Sequence, residues 1–285
     1  MISKVLPSEQ VKIIDKNARS LRTSLTELTS HQDLLWLFVK RDFISFYKQT
    51  ILGPIWFFLQ PIFTTTIYFF LFYNLAKLST DGLPGVLFYL SGITLWSFFS
   101  ELLLKTSGLL RENAAIFGKV YFPRLIVPIS LFFSGLLKLS VQLFLLAAVS
   151  IIVYFFVSPF NFTAAFFLIP FIILLTAIQS CGLGLIIASL SVKYRDIALL
   201  MGFFMQGLMY STTVIYPLSS TSGILNKIVF LNPMTSIIES FRFCLFNKGT
   251  VIYSELIYTI IFSFLVLYVG LLMFIRTEKD FVDTI

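Results

Sequence analysis

Residues 125–157 read LIVPISLFFSGLLKLSVQLFLLAAVSIIVYFFV, an apolar run with a single charged side chain, Lys138. A helix needs about 20 apolar residues to cross the hydrocarbon core of a bilayer, whereas a β-barrel strand needs about 10 with strict alternation. The run is too long and too uniform for such a strand, so it predicts a membrane-spanning helix. It also exceeds one upright span, so we expect Pro128 to separate a short surface piece from the span proper.

The composition of the whole chain indicates the same class of protein. Of its 285 residues, 58% are hydrophobic and 12% are charged, and 34 are Phe. A soluble domain carries about 25% charged residues, and a disordered chain combines low hydrophobicity with high charge. The composition therefore excludes both classes and predicts an all-α polytopic membrane protein.

Six apolar runs predict six transmembrane helices. They cover roughly residues 54–75, 86–104, 125–157, 162–190, 197–216 and 251–275. The predicted organisation is a cytoplasmic tail (1–32), an amphipathic interface helix (33–50), a six-span transmembrane domain (51–276) and a cytoplasmic C-terminus (277–285).

Residues 33–50 and 217–250 do not fit the pattern of a span. In the first segment, Val39 and Phe43 share one helical arc and Arg41 lies on the opposite arc, which is typical of a helix in the membrane surface. The second segment contains two apolar pieces, 224–231 and 234–246, each too short to span. We interpret it as an external re-entrant helical hairpin, with Asn232 capping its second helix. A seventh span is the alternative.

The distribution of Lys and Arg tests this topology. With both termini in the cytoplasm, the segments predicted to be inside carry 16 of these residues and those predicted to be outside carry four. Cytoplasmic loops of membrane proteins are enriched in Lys and Arg. The asymmetry therefore supports cytoplasmic termini, and it accounts for the net charge of +7 by attraction to anionic lipid rather than to nucleic acid.

No catalytic or nucleotide-binding motif occurs in the sequence. GxSxG, HExxH and the Walker A loop are all absent. A membrane-embedded enzyme would need partnered acids, and the candidates Asp81, Glu239 and Glu255 show no such arrangement in the sequence. His31, Cys181 and Cys244 have no metal-ligand spacing. We expect no metal site and no cofactor in this chain.

Two cytoplasmic segments mix charges with aromatic residues. Residues 106–124 include Arg111, Glu112, Phe117, Lys119 and Tyr121, a composition that suits a short helix docking into a partner's groove. An ordinary surface helix anchored by Tyr121 and Phe122 explains it equally well.

The second segment contains Tyr194, Arg195 and Asp196. A basic anchor facing the cytoplasm is its simpler explanation.

Three polar residues fall in apolar surroundings and are candidates for a translocation path or the hairpin. Glu239 and Arg242 are three apart on one helical face, and a structural ion pair is favoured over substrate contact. Lys138 should face protein or water, because a charge in the bilayer is costly. It either contacts an anionic substrate or pairs with Glu101.

From about residue 33 onward, the sequence resembles the permease subunits of ABC exporters for polysaccharides, such as O-antigen, teichoic acid and capsule. The stretches that carry the resemblance are YKQTILGPIW (47–56), QP (60–61), KVYFPR (119–124), YRD (194–196), YP (216–217) and NPMT (232–235), with Glu239 and Arg242 beyond.

The resemblance implies a homodimer with two copies of an ATP-binding cassette subunit, which would bind ATP and Mg²⁺. It implies coupling to that subunit through both cytoplasmic segments and the interface helix. The substrate would be a polysaccharide on a polyprenyl diphosphate, carried across the bacterial inner membrane. Arg41, Lys48 and Arg124 are candidates to meet the diphosphate. An ABC permease for a small hydrophobic molecule and a membrane-embedded lipid-glycan transferase remain alternatives.

Overall fold

The computed structural model describes residues 31–45, 48, 50–117, 122–157, 164–194 and 196–282. Ten α-helices lie in these ranges. They are α1 (Gln32–Ser45), α2 (Trp56–Tyr68), α3 (Gly85–Glu112), α4 (Ala114–Phe117), α5 (Ile126–Phe156), α6 (Ile169–Lys193), α7 (Asp196–Tyr210), α8 (Gly223–Leu231), α9 (Pro233–Phe246) and α10 (Tyr253–Val282). Short 3₁₀ turns precede α2 and α6, and a π-helix (Phe69–Leu75) follows α2.

Five of the helical segments are long and apolar enough to cross a membrane. They are Gly53–Leu75, Gly85–Glu112, Ile126–Phe156, Ala164–Lys193 and Tyr253–Thr277. The pair α8 and α9, bent by 84°, is either a sixth span or a re-entrant loop. All regular structure in the described ranges is helical, which confirms the prediction of an all-α polytopic membrane protein.

Small residues allow α6 to pack closely against α3 and α10. A Cβ on Gly184 would lie 2.6 Å from Cβ of Thr106 on α3, and a Cβ on Gly182 would lie 2.6 Å from the backbone nitrogen of Leu267 on α10. Lipid tails are as apolar as Leu, so close van der Waals contact is a main source of helix association in a bilayer. The small residues of α6 therefore bring this helix into close contact with both α3 and α10.

The expected break at Pro128 is absent, because α5 runs unbroken from Ile126 to Phe156. Pro128 lies in the first turn of the helix, where a backbone N–H would have no partner within the helix. Proline therefore costs nothing there. The helix has 31 residues and is about 46 Å long. This single helix is therefore longer than the hydrocarbon core, which is about 30 Å thick, and no separate surface piece precedes it.

The fifth predicted span, 197–216, is shorter than its apolar run. The helix α7 ends at Tyr210, and its 15 residues are too few for a full span. The hydroxyls of Ser211 and Thr212 donate to the carbonyls of Leu208 and Met209, both at 2.8 Å. The chain turns after Tyr210 while its composition is still apolar.

The segment predicted as a hairpin contains α8 and α9, and Asn232 connects it to α7. The Asn232 side-chain oxygen accepts from the Met234 backbone N–H at 3.1 Å, and Pro233 follows at the first helical position. These contacts confirm the predicted cap. The Asn232 amide also donates to the Ser211 hydroxyl at 2.9 Å. One side chain thus joins the start of α9 to the end of α7.

The interface helix α1 packs on α5 through one face. Leu35, Phe38 and Val39 are buried on that face, and Phe43 stacks on Phe57 of α2 at 5.2 Å between ring centroids. Arg41 and Trp36 are exposed. The buried face thus includes Val39 of the predicted arc.

Candidate functional site

The first segment predicted to be cytoplasmic begins later than the sequence suggests. Residues 106–112 are the last two turns of α3, and the chain breaks only at Asn113, whose side chain donates to the Leu109 carbonyl at 2.9 Å. Arg111 and Glu112 are exposed at this end of α3. The one-turn helix α4 follows, and its Phe117 is buried. Phe117 is therefore packed within the chain, and its predicted part in coupling to the ATP-binding subunit stays a prediction.

A row of stacked side chains, which we call the aromatic ladder, lies between α1 and α4. In order, its members are Arg41, Phe38, Phe122, Phe117 and Arg124. Phe122 lies 5.6 Å from both Phe38 and Phe117, measured between ring centroids. The Arg41 guanidinium lies 4.5 Å from the Phe38 ring, and that of Arg124 lies 5.1 Å from the Phe117 ring. Such stacking contributes favourable electrostatic energy. The ladder joins the interface helix to the first cytoplasmic segment.

The second segment predicted to be cytoplasmic lies at the end of α6, on the same side of the molecule as the end of α3. Tyr194 is exposed, with the Lys193 ammonium 5.4 Å from its ring, and Asp196 is exposed at the start of α7. The helices α3 and α6 run in the same direction, and Gly184 of α6 contacts Thr106 of α3. The two segments that follow these helices therefore lie on the same side of the molecule. Lys119, Tyr121 and Arg195 lie outside the described residues.

The three diphosphate candidates have different surroundings. Arg41 forms an ion pair with Asp42, with Nη2 and Oδ1 2.8 Å apart, in addition to its stacking. Arg124 is buried in the ladder. Lys48 is exposed. The two arginines are thus at opposite ends of the ladder, and their guanidinium groups have structural contacts there.

Lys138 pairs with Glu101, one of the two possibilities from the sequence. Its Nζ is 2.5 Å from Glu101 Oε2, and Lys105 Nζ is 3.0 Å from Glu101 Oε1. One turn further into the membrane, the Ser97 hydroxyl donates to Gln142 Oε1 at 3.1 Å. These contacts form a polar cluster between α3 and α5.

Among the described residues, Arg242 is the largest side chain that is fully buried, and it connects α9, α3 and the turn after α7. Its Nη1 donates to the Thr213 carbonyl at 2.7 Å and to Glu239 Oε1 at 3.2 Å. Its Nη2 donates to the Phe88 carbonyl at 3.2 Å, and its guanidinium carbon lies 3.6 Å from the Phe88 ring centroid. We call this arrangement the arginine hub. The pair is structural, as the sequence favoured.

Glu239 extends the arginine hub to the loop after α9. Its Oε2 accepts from the Thr250 backbone N–H at 3.1 Å. Gly249 has a positive φ of 119°, and a Cβ there would lie 3.1 Å from that same oxygen. Glycine is the residue that adopts this conformation at little cost. The hub therefore connects the middle of α9 to the loop that follows it.

Sequence reasoning found the Glu239–Arg242 pair but missed the backbone carbonyls that complete the hub. Carbonyl ligands leave no trace in residue identity, so Thr213 and Phe88 gave no signal. Phe122 was recognised only as an anchor, and Phe38 was not recognised at all. The KVYFPR stretch (119–124) was the available signal for the ladder.

Two of the acids considered for an enzyme have polar partners in the part of the chain that the structure describes. Among the described residues, no three His, Cys, Asp or Glu side chains form a group able to hold a metal ion. Of the acids considered for an enzyme, Asp81 accepts from the Ser219 hydroxyl at 2.6 Å and Glu239 belongs to the hub.

Comparison with known proteins identifies the family of this chain. A family model described as "ABC-2 type transporter" matches residues 33–246. An O-antigen export system permease protein RfbA from Klebsiella pneumoniae is 26% identical over 88% of this chain and 94% of its own length. The protein of the same name from Myxococcus xanthus is 26% identical over 76% of this chain and 81% of its own length. Because the family model covers more than half of the chain, the chain belongs to the ABC-2 type transporter family, whose multi-pass membrane proteins are transport subunits that work with an ATP-binding cassette partner.

Proposed function

We propose that this chain is the membrane subunit of an ATP-driven polysaccharide exporter, active as two copies with two ATP-binding subunits. One observation carries the proposal. The similarity to O-antigen export permeases extends over 88% of this chain and 94% of the relative, so it is not confined to a shared domain. The proposed substrate is a polysaccharide on a polyprenyl diphosphate, moved from the cytoplasmic side across the bacterial inner membrane.

The cytoplasmic end of the molecule supports coupling to a partner. Arg111 and Glu112 at the end of α3, and Tyr194 and Asp196 after α6, are all exposed on the same side. They offer both signs of charge and an aromatic ring, which suits a charged, specific interface. ATP and Mg²⁺ would bind to the partner, and Lys119, Tyr121 and Arg195 would add to the contact.

The arginine hub supports a fixed external end. Its ion pair and backbone hydrogen bonds hold α9, α3 and the turn after α7 in one geometry. We assign 217–250 to an external re-entrant hairpin that shapes the exit, with both termini in the cytoplasm. The excess of Lys and Arg on the predicted inner segments agrees with that orientation.

Gene deletion in the native host, followed by complementation, tests this function. Deletion should abolish surface polysaccharide while its lipid-linked form accumulates inside, and the intact chain should restore export. A host that also lacks ATP hydrolysis in the partner provides the control and should show the same block. Unchanged surface polysaccharide in the deletion strain would contradict the proposal and favour a small hydrophobic substrate.

A further inference from the structure

A small cavity lies between α9 and the start of α10, at the end of the molecule that contains the arginine hub. Its volume is about 10 Å³, which is room for about one water molecule or one bare ion and too little for a phosphate or a sugar. The polar side chains that line it are all carboxylates or hydroxyls, and they belong to Thr235, Ser236, Glu239, Thr250 and Glu255. The lining side chains therefore offer oxygen atoms to whatever binds there.

Three of these side chains have no partner in the described part of the chain. Thr235 is only 4% exposed, and its hydroxyl oxygen is fully buried without a hydrogen bond. It lies one turn before Glu239 on the same face of α9, so the hydroxyl faces the cavity. Neither the Ser236 hydroxyl nor the Glu255 carboxylate forms a hydrogen bond or an ion pair with the described residues. Buried polar groups in proteins are nearly always paired, so these three groups together point to a ligand.

The charges around the cavity favour a cation. The carboxylate of Glu239 is balanced by Arg242, with Nη1 3.2 Å from Oε1, and its Oε2 accepts from the Thr250 backbone N–H. Glu255 adds a second carboxylate, in the first turn of α10. All residues that line the cavity belong to the described part of the chain, and none of them is Lys or Arg. The helix N-terminus compensates part of the Glu255 charge, but it provides no partner for the Thr235 hydroxyl on α9.

A metal ion meets both requirements, whereas a water molecule meets one. Water can form hydrogen bonds with the hydroxyls, but it leaves the negative charge of Glu255 uncompensated. Oxygen ligands suit the hard cations Ca²⁺ and Mg²⁺. Mg²⁺ keeps several of its water molecules, and a cavity of this size has no room for them. Ca²⁺ accepts irregular arrangements of about six to eight oxygens, so it is the ion that this cavity fits.

We propose that Thr235, Ser236, Glu239 and Glu255 bind one Ca²⁺ ion, which connects α9 and the arginine hub to the start of the last span. Two oxygens of Glu255 and one each of the other three side chains supply about five ligands, and a water molecule at the partly exposed side of Glu255 supplies a sixth. With two carboxylates the site should be weak, with a dissociation constant of about 0.1–1 mM.

No metal-ligand spacing predicts this site from the sequence, because its ligands come from two helices and include two hydroxyls. Only two of the four ligands are acids, which agrees with the finding that no three His, Cys, Asp or Glu side chains of the described residues form a metal-binding group. The proposal thus corrects the expectation that this chain has no metal site, and it does not depend on the proposed function.

Isothermal titration and thermal unfolding of the purified full-length protein test this site. The protein is stripped of metal ions with a chelator in a neutral, lipid-free detergent, and CaCl₂, MgCl₂ or KCl is added at matched ionic strength. About 10 mM CaCl₂ should raise the unfolding temperature by about 4 °C, because the ion binds the folded state alone. MgCl₂ should have a much smaller effect, and KCl none. Absence of a response to CaCl₂, or an equal response to MgCl₂, would overturn the proposed Ca²⁺ site.

Glu255→Gln removes the second carboxylate and should weaken Ca²⁺ binding about tenfold, the size of one lost contact to a charged ligand. The variant should fold, because Glu255 is partly exposed and its carboxylate has no partner among the described residues. The matched control is Asp33→Asn, which neutralises an exposed acid on α1 and should keep the full response to Ca²⁺. Equal responses of the wild-type protein and Glu255→Gln would show that Ca²⁺ acts elsewhere and would overturn the site.

Thr235→Val separates a bound ion from a bridging water molecule. The substitution replaces a buried hydroxyl by a methyl group of similar shape. In the chelated protein the unfolding temperature should stay within about 1 °C of the wild-type value, because the lost hydroxyl has no protein partner. With Ca²⁺ present, the variant should bind the ion several-fold more weakly and gain less stability. A loss of stability that is the same with and without Ca²⁺ would assign the cavity to a water molecule and overturn the proposal.

Discussion

Different kinds of contact hold the helices together at the two ends of the molecule. At the arginine hub, one guanidinium and one carboxylate bind three backbone carbonyls and a backbone N–H at defined distances. At the end that we propose to be cytoplasmic, the aromatic ladder joins α1 to α4 through ring contacts of 5.6 Å. The hub depends on directional hydrogen bonds between buried groups. The ladder depends on stacking, which tolerates several geometries.

This difference suggests a division of roles. A buried, hydrogen-bonded ion pair loses most of its value when its partners shift, because each charge is then left without compensation. Stacked rings retain contact area when they slide. We therefore interpret the hub as the fixed end and the ladder as the end that transmits motion from the partner subunit.

The largest expected effect is at the hub. Arg242→Met leaves Glu239 buried without its cation, and several carbonyls lose their donor. Breaking a buried ion pair on one side costs about 3–5 kcal/mol in the free energy of unfolding. Thermal unfolding in detergent, followed by size-exclusion chromatography, should show a strongly destabilised protein. The double variant Glu239→Gln with Arg242→Met removes the stranded charge and should recover part of the loss. Full stability in Arg242→Met would contradict the fixed-end interpretation.

Phe122→Ala should have the next largest effect, and the effect should be on coupling as well as stability. The side chain is buried between Phe38 and Phe117, so its loss should cost about 3 kcal/mol. Export per ATP hydrolysed should fall, because α1 and α4 lose their connection. The matched control is Phe155→Ala, which removes a ring that is 75% exposed. Equal effects from the two variants would show that the ladder has no special role.

Gly92→Ala tests the hub by crowding it. A Cβ at Gly92 would lie 2.8 Å from Arg242 Nη2, so the guanidinium must shift. Overpacking of this kind costs about 1–3 kcal/mol. Gly202→Ala, on α7, meets nothing within 4 Å and serves as the control. Unfolding temperatures of the two variants give the comparison, and equal values would mean that the hub can adjust.

Charge reversal at the proposed coupling surface should change stability least. Arg111→Glu or Glu112→Lys replaces an exposed side chain, so the free energy of unfolding should change by less than about 0.5 kcal/mol. Export should nevertheless separate from ATP hydrolysis in membranes that contain the partner subunit. Normal export by both variants would remove these residues from the coupling surface.

The spans were predictable because their apolar runs are long, but their ends depend on local chemistry. The prediction for Pro128 was wrong because a proline in the first helical turn removes no hydrogen bond from the helix. The fifth apolar run continues to residue 216, whereas its helix ends at Tyr210. Composition measures how much of a segment prefers lipid, whereas helix ends are set by individual hydrogen bonds.

The candidate site was predictable only where pairs lie close in sequence. Glu239 and Arg242 are three residues apart, so their ion pair follows from helical periodicity. The contact between Phe38 and Phe122 joins residues far apart in the chain, and the hub's carbonyl ligands are independent of side-chain type. Such contacts become visible only when the helices are packed.

Co-purification from native membranes tests the central claim most directly. The full-length chain is tagged, extracted in several mild detergents, and the mass and stoichiometry of the purified assembly are measured. The account predicts an ATP-binding subunit at a ratio of one to one, in an assembly with two copies of each. A chain that purifies alone under all of these conditions would contradict it.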